Sequence, residues 1–273
     1  MELNEITKNC HKMRRLILDM GYIAPLGAHF GAALSAVEIF AVLYGGVMNF
    51  STKMSVSERD ILVVGKGHCV LSYYAALMTY GFMDEALAET FDQDGSNLQG
   101  HPAMDEGVGI EFSAGSLGMA LSQGVGVALS RKMRNHDSRV YVILGDGECQ
   151  EGAIWEAAMS AAHFKLDNLV VVVDRNHLQY DGNTENVMSL GVFDDKWTAF
   201  GFEVRRVDGH DVNALCSALA NNLKNDKPLC VIADTVKGKG VSFMEGNPIW
   251  HNRKLQQREY EQALEEWREE DAV

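Results

Sequence analysis

The chain is poor in the features that mark several large classes of protein. Its five cysteines, Cys10, Cys69, Cys149, Cys216 and Cys230, are odd in number and show no Cys-x-x-Cys spacing, which argues against a disulfide framework or a zinc site. Only four prolines occur in 273 residues, and no Ser/Pro/Gly-rich linker divides the chain. No apolar run approaches the ~18 residues that a spanning helix requires. The acidic, polar start Met1-Glu2-Leu3-Asn4-Glu5 is unlike a signal peptide, so a cytoplasmic setting is expected. Positive charge is scarce: 24 Lys and Arg against 38 Asp and Glu leave a net charge of −14. Such a chain repels nucleic acid and anionic membrane at long range, and neither is an expected partner. A phosphorylated ligand must then be held by local devices: a metal, backbone N–H groups or a few placed cations. No P-loop is present. The segment nearest to a dinucleotide fingerprint, Gly124-Val125-Gly126, has Leu129 at the third glycine position and falls within a predicted helix.

What is present is an ordinary globular composition, with 47% hydrophobic and 23% charged residues. Apolar side chains at Leu3, Ile6, Cys10, Met13, Ile17 and Met20 recur at intervals of three and four, which predicts an N-terminal helix. Further helices are expected over 34–44 and 70–78, with Gly-rich, His-bearing loops between them. From about Gly118 the pattern alternates. Helices are predicted over 119–132, 153–164, near Trp197 and over 212–223. Between them lie the apolar runs Val140-Tyr141-Val142-Ile143-Leu144, Leu169-Val170-Val171-Val172-Val173, 202–207 and 229–233. Short β-branched runs without in/out alternation are strands buried on both faces, and strands separated by helices give a parallel sheet. The expected fold is α/β, a doubly wound, mainly parallel sheet flanked by helices. It forms one domain over 1–273, with an N-terminal helical segment and a C-terminal acidic helix over 258–271 that docks through Tyr260, Leu264 and Trp267.

Gly145-Asp146-Gly147 directly follows a predicted central strand, and the next strand ends in Asp174-Arg175-Asn176. Parallel sheets bind ligands beyond the carboxyl ends of their strands, so Asp146 and Asn176 are expected to project into one crevice. A carboxylate and an amide oxygen make a hard half-shell suited to Mg²⁺ together with phosphate and water. Taken alone, Gly-Asp-Gly is a common turn; the Asn at the end of the following strand is what makes the pair specific.

The stretch Gly145-Asp146-Gly147-Glu148-Cys149-Gln150-Glu151-Gly152, with Trp155-Glu156-Ala157-Ala158, Leu166-Asp167-Asn168-Leu169 and Asp174-Arg175-Asn176, resembles the thiamine diphosphate motif of transketolases. The resemblance covers nearly the whole chain. It includes Leu98-Gln99-Gly100-His101-Pro102, Ser113-Ala114-Gly115-Ser116-Leu117-Gly118, Val207-Asp208-Gly209-His210-Asp211 and Thr235-Val236-Lys237-Gly238-Lys239-Gly240. It implies thiamine diphosphate and Mg²⁺ (with Ca²⁺ or Mn²⁺ as substitutes) as cofactors. It further implies that Asp146, Asn176 and the Leu178 carbonyl are metal ligands. Gly147 would contact the diphosphate, and Gly115 and Leu117 would lie near the central rings. Glu151 would be a buried glutamate linking paired active sites, although a Glu in a helix's first turn is often only a dipole partner.

Four loop histidines, His29, His68, His101 and His251, match transketolase site histidines. By this resemblance His29 and His251 act at the reacting carbonyl and hydroxyl, and His101 binds the terminal hydroxyl of the transferred two-carbon unit. His68 contacts the diphosphate, with Lys66 as a weaker candidate, and His251 also borders the cofactor. Imidazole titrates near neutrality and suits proton exchange with sugar hydroxyls. His11, His136, His163 and His177 are read as solvated side chains, and His210 as a structural residue orienting a loop. The chain departs from the common pattern at Ala28-His29-Phe30, at Ala103, at Met119 and at Asn252, which bears on substrate identity and on the geometry around His29.

In one-chain transketolases a second module supplies the glutamate that activates the cofactor and the arginines that bind substrate phosphate. About 20 residues follow His251, whereas even a small domain needs about 50. The expectation is therefore an N-terminal subunit of a split transketolase. It would work with a separate C-terminal, pyrimidine-binding subunit in an α2β2 assembly, on sugar or sugar-phosphate substrates. The alternatives are other thiamine diphosphate reactions (deoxyxylulose-phosphate synthesis, 2-oxoacid decarboxylation) and a non-catalytic regulatory subunit.

Overall fold

The structure, a computed structural model, describes residues 2–220 and 225–270. The chain opens with helix α1 (Leu3–Ile23), followed by the short helices α2 (Phe30–Ser35) and α3 (Val37–Val42) and a π-helical turn, Leu43–Val47. Strand β1 (Ile61–Val64) leads into α4 (Val70–Thr79). Then come α5 (Ala120–Met133), β2 (Val140–Gly145), α6 (Gly152–His163) and β3 (Leu169–Arg175). A small hairpin, β4 (Leu178–Gln179) and β5 (Gly182–Asn183), precedes α7 (Thr184–Met188), α8 (Phe193–Ala199), β6 (Glu203–Asp208), α9 (Val212–Ala220), β7 (Leu229–Asp234) and α10 (Gln257–Glu270).

Five strands form one wholly parallel sheet in the order β1-β2-β3-β7-β6. Alternate side chains of each strand enter two separate cores, one on each face. Leu62, Val64, Tyr141, Ile143, Val170, Val172, Val231 and Ala233 pack with α1–α4, α9 and α10. Ile61, Val63, Val140, Val142, Val171, Val173, Cys230 and Ile232 pack with α5, α6 and α8. This is why the strands read as unbroken apolar runs: each of the four valines Val170–Val173 is covered from one side or the other, worth about 1.5–3 kcal/mol apiece. Connections that step from β1 toward the β6 edge carry α5, α6 and α8 on one face, and the return from β6 to β7 carries α9 on the other. The segment leaving β3 enters the α8 side, whereas the segment leaving β7 enters the α1 side. A crevice opens where the strand ends diverge in this way.

Two sequence expectations are corrected. Strand β1 is absent from the sequence reading, because four residues are too few to show a period. The helix expected over 34–44 starts at Phe30 and breaks at Ala36, which leaves the helical region of the backbone. Gly124-Val125-Gly126 does lie inside α5. A Cβ on Gly124 would stand 2.4 Å from Val142 Cγ2, so the glycine serves close helix–sheet packing. The predicted helix over 212–223 extends beyond the described residues at 221–223. Asp271 of the 258–271 helix and Met1 of the N-terminal segment lie outside them too. Within α10, Tyr260, Leu264 and Trp267 pack on the α1-side core as expected. Among the described residues no helix is long and apolar enough to cross a membrane.

Candidate active site

The carboxyl ends of β1, β2, β3 and β7 carry Lys66, Asp146, Asp174–Asn176 and Thr235–Lys237. The register pairs Gly145 with Asp174 and Arg175 with Asp234, so these residues share one level above the sheet. Asp146 is 4% exposed. Its Oδ1 accepts from the Gly147 N–H at 2.9 Å, and its Oδ2 accepts from the His177 N–H at 2.9 Å and Thr184 Oγ1 at 3.2 Å. Burial and the neighbouring Asp174 push its carboxyl upward. Asn176 donates to Ser35 Oγ at 3.3 Å, while its Oδ1 accepts from the Leu178 N–H at 3.1 Å. Asp146, Asn176 and Leu178 are thus brought together, with Gly147 packed against Gln179. This is an oxygen-donor set around a buried carboxylate met only by neutral donors, which fits a divalent cation. Asp146, Asn176 and the Leu178 carbonyl are the candidate set; among the described residues no group of three or more His, Cys, Asp or Glu could hold a metal.

Asp174 is fully buried and differently served. Lys66 and Thr235 donate to it in short contacts, and Ser35 Oγ donates at 2.6 Å. Burial would raise its carboxyl, but the Lys66 ammonium outweighs that and holds it below the usual range. Lys66 is accordingly a paired cation. The free one is Lys237, which the sequence reading passed over. It is 1% exposed and donates to the Leu178 carbonyl and to His251 Nδ1, both at 3.0 Å. No carboxylate lies within ion-pair reach among the described residues, and burial together with Lys66 brings it down to about 8. Its signal was the Lys237-Gly238-Lys239-Gly240 stretch. Gly31 lets the Lys237 stem pass, since a Cβ there would stand 2.9 Å from Lys237 Cγ.

The four loop histidines converge. The His29 ring centroid lies 5.6 Å from His68, 5.6 Å from His101 and 5.5 Å from His251, and His68 stacks on His251 at 5.2 Å. A backbone clasp holds His29 beside His251: Ala28 and Arg253 form an isolated antiparallel bridge, with N–H···O distances of 3.1 and 3.2 Å. Gly27, at φ 104°, takes the sharp turn before it, and a Cβ there would strike the Arg253 backbone. Phe30, the last residue of the Ala28-His29-Phe30 departure, is the first residue of α2. It is buried against Gly21 and stands edge-on to Trp250 at 5.9 Å. Burial keeps these imidazoles neutral at pH 7. His29 falls to about 4, helped by His101 and Lys237, and His251 falls to about 3, helped by Lys237. His68 lies well below its ordinary value and His101 is also lowered.

Gly115 sits over the turn of His68, its N 3.2 Å from where a Gly67 Cβ would be, and both Gly115 and Leu117 are exposed. Glu151 directly precedes α6. In this chain by itself it is exposed, at the N-cap of α6, with no capping hydrogen bond from its side chain. A second glutamate nearby, Glu148, missed in the sequence, is buried and accepts from the Gly118 N–H at 2.9 Å and the Gly145 N–H at 3.2 Å. Burial pushes it up to about 7. His210 is structural as expected: its Nε2 accepts from the Val236 N–H at 2.8 Å.

Residues 7–271 match the family described as the transketolase, thiamine diphosphate binding domain. The chain belongs to the transketolase family. It is 40% identical to an apulose-4-phosphate transketolase subunit of Actinobacillus succinogenes, over 99% of this chain and 98% of that protein. It is 38% identical to the 6-deoxy-6-sulfo-D-fructose transketolase subunit SqwG of a Clostridium species, with 98% of each covered. With human transketolase it shares 34% identity over 87% of this chain but only 38% of the human one. The solved transketolase of Campylobacter jejuni superposes with a TM-score of 0.87 at 30% identity, covering 97% of this chain and 43% of that one. The chain therefore corresponds in length to transketolase subunits, and to about two-fifths of the solved transketolases.

Proposed function

We propose that this chain is the diphosphate-binding subunit of a two-subunit, cytoplasmic transketolase. It would transfer a two-carbon ketol unit from a ketose or ketose phosphate to an aldose, and require thiamine diphosphate and Mg²⁺. The observation that carries this reading is the placement of four neutral, clustered imidazoles above a buried oxygen-donor set. Asp146, Asn176 and the Leu178 carbonyl would hold the metal. Lys237 and His68 would face the diphosphate, with the Gly147 backbone beside it, and Gly115 and Leu117 would border the rings. When bound, thiamine diphosphate supplies the carbon nucleophile and electron sink for a carbonyl substrate. The chain's own residues orient the sugar and move protons. His29 and His251, neutral at pH 7, can accept a hydroxyl proton and return it, and His101 is placed to hold the terminal hydroxyl of the two-carbon unit.

The metal fit rests on charge. Asp146 is a buried anion without a cation of its own, and Lys237 is a buried cation without an anion. Mg²⁺ and a diphosphate would complete both. The equal-length relatives are themselves named as transketolase subunits. Those names support a partner subunit; in our reading it is the C-terminal one, bringing the pyrimidine-side module in an α2β2 assembly in which Glu151 would become covered. The same names, apulose-4-phosphate in one and 6-deoxy-6-sulfo-D-fructose in another, support a substrate outside the common pentose phosphates.

The test is reconstitution. The chain is purified by itself and mixed with the C-terminal transketolase half from the same genome, and ketol transfer is measured with ketose donors and with pyruvate. Activity that appears only in the mixture and only with ketoses is expected. Equal ketol transfer by the isolated chain would refute the two-subunit reading, and turnover of pyruvate would favour a decarboxylase. A cofactor-binding mixture with no turnover of either substrate would favour a regulatory subunit.

A further inference from the structure

Beside the histidine cluster lies a cavity of about 400 Å³. Its polar lining comes from His29, His68, His101, Gln99, Asn252 and Asp92. Asp92 is the only Asp, Glu, Lys or Arg on its wall among the described residues. The residue is fixed by its backbone. It adopts a left-handed conformation at φ 54°, which Asp tolerates better than most residues, and its N–H donates to the Leu98 carbonyl at 2.7 Å. The loop it opens is closed again by Thr90 Oγ1 and Ser96 Oγ at 2.9 Å and by the Leu98 N–H on Ser96 Oγ at 3.0 Å. This turn sets the carboxylate beside the glycine preceding His101: a Cβ on Gly100 would lie 3.7 Å from Asp92 Oδ1.

Asp92 is half-buried, and no hydrogen-bond donor among the described residues meets its carboxylate. A carboxylate is acceptor-only when ionised, and one that faces a cavity without donors is satisfied by whatever donors enter it. The imidazoles around it contribute no positive charge at neutral pH, because burial lowers all three. The cations of the site, Lys66 and Lys237, do not line this cavity. Its wall therefore carries one net negative charge.

We infer that Asp92 is a specificity-determining residue, accepting a hydrogen bond from a substrate hydroxyl and keeping phosphate or sulfonate groups out of the part of this cavity formed by Gly100, His101 and Asp92 itself. The charged end of a sugar phosphate then lies elsewhere, and the part of the sugar seated against His101 and Asp92 is a neutral polyol. The opposing pulls on His101 agree with this geometry: burial lowers it, and the Asp92 charge raises it in part. This inference rests on the ketol-transfer reading for its substrate class, and its test has one arm that does not.

In the first arm the chain, its partner subunit, thiamine diphosphate and Mg²⁺ are combined. The ratio of kcat/KM for a phosphorylated aldose to that for the same aldose unphosphorylated is measured in the wild type, Asp92→Asn and Asp92→Arg. Removing a like charge should raise this ratio about tenfold in Asp92→Asn, the lower end of what like-charge juxtaposition costs, and further in Asp92→Arg. In the second arm inorganic phosphate is titrated into the full chain by itself while the histidine ring resonances are followed by NMR. Phosphate should leave the His101 resonances of the wild type unmoved and shift them in Asp92→Arg. In the absence of phosphate, His101 should titrate lower in Asp92→Asn than in the wild type. A ratio unchanged in both variants, or wild-type His101 resonances that respond to phosphate as strongly as those of Asp92→Arg, would overturn the inference. If the wild-type mixture transfers no ketol unit, the function reading fails, and the phosphate titration still decides the role of Asp92.

Discussion

Two groups of buried charge are built on different terms. Behind the crevice, Arg14 Nη2 meets Glu38 Oε1 at 2.5 Å, His210 Nδ1 meets Glu38 Oε2 at 3.0 Å, and Arg14 Nε donates to the Lys239 carbonyl at 3.2 Å. Against burial, which would raise it, Arg14 and His210 hold the Glu38 carboxyl below its usual range. Lys66 and Asp174 are closed in the same way. On the crevice floor, Asp146 and Lys237 are equally buried, yet each is met only by neutral groups. Isolated buried charge is costly, so two opposite charges left open on one crevice floor are suited to partners that arrive later. On the crevice floor, pairing separates Lys66 and Asp174 from Lys237 and Asp146 where burial does not.

The comparison is broken most severely at the closed pairs. Lys66→Met leaves Asp174 uncompensated and should cost about 3–5 kcal/mol in denaturant unfolding. Arg14→Met should cost about 3 kcal/mol, the lower end of the range because His210 still donates to Glu38, and it should leave cofactor affinity unchanged in the folded fraction. The open charges behave in the opposite sense. Asp146→Ala should keep the fold by circular dichroism while calorimetry shows Mg²⁺-dependent thiamine diphosphate affinity falling by more than about 100-fold, beyond what loss of a supporting partner costs a metal site. Unchanged affinity would remove Asp146 from the metal set. Lys237→Met should lose about tenfold in cofactor affinity, as for one hydrogen bond to a charged group, with unfolding free energy equal to or above the wild type's. A stability loss as large as that of Lys66→Met would show that Lys237 is a structural cation after all.

The smallest effect concerns protons. His29 drops from 6.5 in the unfolded chain to about 4 when folded, so between those values the unfolded state binds a proton that the folded state refuses. Its contribution is complete above 6.5 and is lost as pH falls toward 4. The urea midpoint should therefore fall less between pH 7 and pH 5 in His29→Asn than in the wild type. Identical falls would place the His29 ring in a more solvated setting.

Much of the fold is legible in the sequence. The sheet is readable because strands buried on both faces leave unmistakable apolar runs, and Asp146 and Asn176 follow from where such strands end. Strand β1 is not, since Ile61-Leu62-Val63-Val64 is too short to carry a period and its partner, β2, lies far along the chain. Lys237 escapes because a lysine among glycines reads as solvated. Only the tertiary approach of Gly31 and Leu178 buries it. Glu148 and Glu151 sit three positions apart around the first turn of a helix, and which of them points inward depends on Gly65 and Gly118, whose packing no local pattern records. The histidines can be named, but the central place of His29 among them cannot, because a bridge between opposite ends of the sequence sets it.

That bridge, Ala28 to Arg253, also bears on how the protein comes into being. Closing so long a loop is entropically expensive and only slowly more so with length, and contacts of such separation form late in folding. Should the bridge open, Asp146 would stay at its strand end while His29 lost its place beside His251. The histidine half of the crevice thus depends on long-range closure, and the Asp146 half on the sheet alone.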